Sequence, residues 1–184
     1  MTTIQPSGIR SRGAFGLLMR LLIIAACWNL GIRGGELRAE PAVTEYDLKA
    51  AFLYKFVQFV KWPGGGSGII GILGDDPFGG KLEKALQGRL SIRRSHKAED
   101  LKNCQIVFVS KSERGNASGI IASLGDAKVL TVGESEGFAK QGGVIGILMD
   151  GDQPRLEINT AAAGRAGLII SPQLLKLAGR LFKS

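Results

Sequence analysis

The chain has 184 residues, 45% apolar and 22% charged, with 27 glycines, two cysteines and one histidine. That balance fits a single ordinary globular domain and excludes a disordered or collagen-like chain. Its formal charge is +8, from 24 Lys and Arg against 16 Asp and Glu, and five of the basic residues fall in the first 39 positions.

Residues 1–39 read as an export signal that is removed from the mature protein. Arg10, Arg12 and Arg20 are its basic part, Leu21 to Leu30 is mostly apolar, and Leu37, Arg38 and Ala39 resemble a small-residue cleavage site. Arg20 and Asn29 interrupt the apolar run, which therefore lacks the ~18 uncharged residues of a spanning helix. Ile24, Ala25, Ala26 and Cys27 also resemble a bacterial lipobox, so a lipid anchor at Cys27 is the alternative to cleavage after Ala39. Cleavage leaves 19 basic against 15 acidic residues, a net +4 over residues 40–184. No dense basic stripe remains of the kind that nucleic-acid binding needs. Cys104 becomes the single mature cysteine, which rules out a disulfide within the chain.

Residues 40–184 read as one α/β domain. Thr44 precedes a long helix with Glu45 and Asp47 in its first turn and Trp62-Pro63 at its end. At 100° per residue, Tyr46, Leu48, Ala50, Phe52, Leu53, Phe56, Val57, Phe59 and Val60 cover over half its circumference. Six of the twelve aromatic residues lie between Tyr46 and Trp62, and their helical spacing marks a core face rather than a cofactor box. A Gly64 to Ser67 link follows, then strands at Ile69 to Leu73, Leu90 to Arg94, Gln105 to Ser110 and Lys128 to Val132. Between them lie helical segments at Lys81 to Gln87, Ala98 to Asn103 and Ala117 to Leu124, with a further helical turn at Phe138 to Gln141. Val144 to Met149 and Arg155 to Ile158 form a hairpin across the turn at Asp150 to Gln153. Ala161 to Arg165 and Pro172 to Phe182 read as closing helices. This alternation predicts a mostly parallel sheet flanked by helices on both faces, with an antiparallel hairpin at one edge.

The residues carry little catalytic chemistry. His96 is the sole imidazole and stands among Arg93, Arg94 and Lys97, without the constellation that nucleophilic catalysis requires. One mature His and one mature Cys do not make a zinc site, and no cofactor is indicated. Gly74 to Gly80 imitates a phosphate loop but fails: the first Gly is one place too early, Leu82 replaces the hydroxyl, and Asp75 and Asp76 repel phosphate. What survives is an acidic loop after a buried strand, where open α/β sheets bind ligands. Asp75, Asp76 and Phe78 there, with Glu134, Ser135, Glu136 and Phe138 in a second acidic loop, are the candidate ligand contacts; a helix-capping turn accounts equally well for Asp76-Pro77. Arg89, Arg93, Arg94 and Lys97 form the chief basic cluster, a solvated strand face or the dock for an acidic partner.

Five segments in register resemble the YfiR family. They are EYDLKAAFLYKFVQFVKWP from Glu45, GILGDDPFGGKLEKAL from Gly71, LKNCQIVFVSKSE from Leu101, VLTVGESEGFAKQGGVIGI from Val129 and RLEINTAAAGRAGLIISPQLLKLAGRL from Arg155. The resemblance implies a periplasmic, non-enzymatic α/β domain that restrains an inner-membrane diguanylate cyclase through its periplasmic region, relieved when an outer-membrane lipoprotein sequesters it. Cyclic di-GMP signalling would then follow the state of the envelope. Redox-responsive members carry paired cysteines, a pattern from which the lone Cys104 departs. Whether the chain forms a homodimer stays open. Two other readings remain: a ligand-binding accessory protein of an envelope receptor or transport system, and a small hydrolase using Asp75, Asp76, Glu134 or Glu136 as acid and base.

Overall fold

A computed structural model describes residues 43–183; the expected export signal, with its alternative lipid site at Cys27, lies outside the described residues. Helix α1 (Glu45–Phe59) starts at a capping box, in which the Thr44 hydroxyl accepts from the Asp47 N–H while the Asp47 carboxylate accepts from the Thr44 N–H at 2.9 Å. It ends earlier than its periodicity suggests. Pro63 biases the chain before it away from helix. Val60 and Lys61 (β1) turn extended to pair antiparallel with Ile170 and Ile169 (β8, Ile169–Ile170).

The main sheet contains β2 (Ile69–Leu73), β3 (Ser91–Ser95), β4 (Ile106–Val109), β5 (Leu130–Gly133), β6 (Ile145–Asp150), β7 (Gln153–Asn159) and β9 (Ala178–Phe182). Their order is β3-β2-β4-β5-β6-β7-β9. Strands β3 to β6 in that order are mutually parallel, β6 and β7 form the antiparallel hairpin, and β9 is parallel to β7. The winding reverses between β2 and β4, a topological switch point of the kind that places ligands beyond the carboxyl ends of strands.

Strand alternation sorts the apolar side chains into two cores. Ile70, Ile72, Ile106 and Phe108 face one layer, built with Leu53 and Phe56 of α1, Leu82 and Leu86 of α2 (Lys81–Leu86), Ala162 of α4 (Thr160–Arg165) and Leu174 of α5 (Pro172–Lys176). Leu73, Val107 and Val109 face the other, against Leu101 of a 3₁₀ turn (Ala98–Leu101), Cys104, Ile120 and Leu124 of α3 (Ala117–Leu124), and Phe138. Gly71 keeps that second layer close-packed, since a Cβ on it would stand 3.1 Å from both Cys104 Sγ and a Leu101 methyl, which would have to give way. The α/β class and the sheet covered on both faces are as the sequence predicts.

The expected helix from Pro172 to Phe182 is the main departure. It stops at Lys176, and residues 178–182 become β9. The outer edge of β7 offers a row of unpaired peptide groups, and pairing with them outweighs the helical spacing of the leucines. Gly179, a weak helix former, sits against Arg155, where a Cβ would come within 3.0 Å of Cγ. The main sheet thus carries one further strand, β9, outside the expected hairpin.

Candidate functional site

The loops at the carboxyl edge of the parallel strands build one connected rim. Gly74 leaves β2 at φ +86°, a conformation that favours glycine, and a side chain there would collide with the Ser110–Glu113 loop after β4. The central loop reaches both ways. The Ser112 hydroxyl accepts from the Asp75 N–H at 3.0 Å and lies 2.7 Å from the Ser110 hydroxyl, while the Lys111 N–H donates to Glu134 Oε1 at 2.8 Å. The two acidic loops are therefore joined through the loop after β4.

Glu134 follows β5 directly and is sealed from water. Its Oε2 lies 2.5 Å from Nζ of Lys49 on α1, whose side chain is equally buried and also pairs with Glu45 one helical turn earlier. Lys49 Nζ also stands 4.8 Å from the centroid of the Tyr46 ring. Burial first, and then the charges of Glu134 and Glu45, push the Tyr46 hydroxyl up to about 12. Beyond this cluster opens a cleft of about 310 Å³, where Lys111, Glu136, Met149 and Arg155 join Glu45, Lys49 and Glu134. A mixed rim of this kind can hold a small polar molecule by opposed charges; among the described residues no three His, Cys, Asp or Glu side chains gather to hold a metal ion.

The candidate contacts divide sharply. Glu134 and Glu136 line the cleft, while Ser135 is half-buried in the same loop. Asp75 is exposed, but Asp76 is engaged: Oδ1 accepts from the Phe78 N–H at 2.8 Å and Oδ2 from Arg94 Nε at 2.6 Å. Phe78 and Phe138 are 0% and 1% exposed and offer a ligand no surface. Phe78 instead stacks edge-on between Tyr46 (5.7 Å) and Phe108 (4.9 Å), which seats α1 on the sheet.

Arg89, Arg93, Arg94 and Lys97 lie elsewhere, on and beside β3 at the outer edge of the sheet. Arg94 joins Asp76 and Glu83 in ion pairs, and the hydrogen bond it donates holds the Glu83 carboxyl below the usual range. Arg89 donates to the Tyr54 hydroxyl, Arg93 donates to the Asp100 carbonyl at 3.2 Å, and Lys97 is exposed. Lys49 is the residue that sequence reasoning missed. Its signal is positional: it sits four residues before Leu53 and seven before Phe56, a lysine inside the buried stripe of its helix.

A family model described as YfiR/HmsC-like matches residues 46–179. No curated protein matches the chain. Among solved structures, a conserved domain protein from Vibrio cholerae O1 biovar El Tor is similar over 75% of this chain, with 12% identity and a TM-score of 0.59. An ABC domain in complex with L-Trp from Streptococcus pneumoniae is similar over 72%, with 14% identity and a TM-score of 0.53. The chain spans 60% of the length of each of those two, and at such identities the likeness is one of fold.

Proposed function

Because the chain belongs to the YfiR/HmsC-like family, we propose that it is an exported regulator that acts by protein contact in the periplasm. In this reading it restrains an inner-membrane signalling protein of diguanylate cyclase type, and a second envelope component, an outer-membrane lipoprotein, relieves that restraint. The observation that carries the reading is the extent of the family match, which runs from α1 into β9 and so takes in nearly the whole described body. A protein that holds one state of its partner shifts that partner's equilibrium by differential affinity alone, so the scheme calls on binding surfaces and no turnover. Among the described residues no helix is long and apolar enough to cross a membrane.

Capture from envelope extract on the purified domain tests it. Recovery of a membrane protein with a cytoplasmic cyclase or kinase domain is the expected result; turnover of a substrate by the pure protein would sink the reading.

A second reading, a ligand-binding accessory protein of an envelope receptor or transport system, is favoured by the cleft around Lys49, Lys111, Glu134 and Arg155. It predicts a rise in thermal midpoint with a metabolite, since ligand held by the native state stabilises it by mass action, and loss of that rise in Glu136→Ala.

A further inference from the structure

Strand β3 ends the sheet, and its outer side is unpaired among the described residues. The Ser91 N–H donates inward to the Gly68 carbonyl at 2.9 Å and the Gly74 N–H to the Ser95 carbonyl at 3.0 Å. In a parallel ladder this register turns the peptide groups of Ser91, Arg93 and Ser95 toward β2, and those of Ile92 and Arg94 outward. Their side chains follow the opposite logic of the pleat. Ile92 and Arg94 line a groove of about 280 Å³ with Leu86, Leu90 and Glu83, on the side of α2. Arg93 projects from the other side, toward the Asp100 carbonyl.

Charge singles out the occupant. Residues 81–102 contain seven Lys or Arg against three Asp or Glu. Arg94 is taken by Asp76 and Glu83, whereas Arg89, Arg93 and Lys97 make no ion pair among the described residues. A second copy of β3 laid against the first would set arginine against arginine, and like charges opposed across a ladder are destabilising. An acidic strand meets no such penalty.

We infer that the outer edge of β3 receives, by strand addition, an extended segment of a partner protein in which apolar and acidic residues alternate. The peptide groups of Ile92 and Arg94 supply the ladder, Leu86, Leu90 and Ile92 receive the apolar side chains, and Arg93 and Lys97 meet the acidic ones. This names a surface for the contact-based reading above and rests on it.

The test uses a fluorescein-labelled octapeptide of alternating Val and Glu, titrated into the protein and followed by anisotropy. Alternating Val-Lys and Ser-Glu peptides are expected to bind roughly tenfold more weakly, and Arg93→Glu to weaken the Val-Glu peptide by a similar factor. Ile92→Pro removes an N–H that no bond among the described residues uses, so the strand tolerates it at an edge while the ladder to the peptide is broken. Methylating alternate peptide nitrogens breaks the same ladder without touching the protein. Undiminished binding of the methylated peptide, equal binding of the three peptides, or self-association through β3 in sedimentation would each overturn the inference. A failed peptide beside a captured cyclase refutes the edge alone, and a bound peptide beside an empty capture refutes the regulatory reading alone.

Discussion

Lys49 Nζ lies 2.5 Å from Glu134 Oε2 with both side chains shut away from water, so one ion pair fastens the start of α1 to the loop after β5. Removing one partner strands the other as an uncompensated buried charge. Lys49→Met is expected to cost about 3–5 kcal/mol, read as a lower urea midpoint at unchanged slope. Lys49→Met with Glu134→Gln, which keeps an acceptor for the Lys111 N–H, is expected to regain most of that loss. A double variant as unstable as the single one would show that the charge pair is not what holds these elements together.

Stability should fade at both ends of the pH scale through two residues of the same helical turn. The Thr44 hydroxyl first, then Lys81 and the Thr44 N–H, hold the Asp47 carboxyl well below the usual carboxylate range. A depressed folded value contributes stability that is complete above the unfolded value of ~3.9 and is lost as pH falls through the folded one. Thr44→Ala is therefore expected to unfold at a higher pH during acid titration, besides losing about 0.5–2 kcal/mol of capping at neutral pH.

Tyr46 carries the opposite sign. Its hydroxyl, pushed up to about 12, contributes stability that is complete below the unfolded value and is lost as pH rises through the folded one. Tyr46→Phe retains the ring against Phe78, so its stability curve is expected to be flatter than the parent's over that alkaline window. Parallel curves would mean that neither burial nor the charges of Glu134 and Glu45 raise this hydroxyl.

At Gly71 the second core has little room for a methyl group. Gly71→Ala sets a carbon against Cys104 Sγ and Leu101, and overpacking of this kind costs about 1–3 kcal/mol. Pairing it with Cys104→Ala relieves the contact with the sulfur, and calorimetry of the double variant is expected to show a smaller loss than the two single losses added together.

The Cys104 thiol is buried, and burial pushes its ionisation up, so it is a poor nucleophile in the folded state. Reaction with a thiol reagent is expected to be slow in the native protein and to accelerate with denaturant in step with unfolding. Fast labelling under native conditions would contradict the packing described around it.

The parallel strands were legible because each is a short apolar run bounded by turn residues, and the hairpin because Asp150-Gly151 sits between two such runs. What escaped depends on partners distant in sequence. Residues 178–182 have a helix former's spacing and become a strand by pairing with β7, and Val60, close before Pro63, turns extended to pair with Ile170. In the site, Glu134 was legible from its place after a strand, whereas Lys49 hid within an apolar stripe. Phe78 and Phe138 share loops with the acidic candidates, but aromatic area is worth more in a core than at a rim, and both are buried.

The two-residue pairing of Val60 with Ile170 and Lys61 with Ile169, backed by the Ser171 N–H on the Phe59 carbonyl at 2.8 Å, clasps the first helix with residues more than a hundred positions later. A ribosome delivers the beginning of a chain long before its finish. The α1 layer therefore stays partly uncovered until the final segments arrive to latch it.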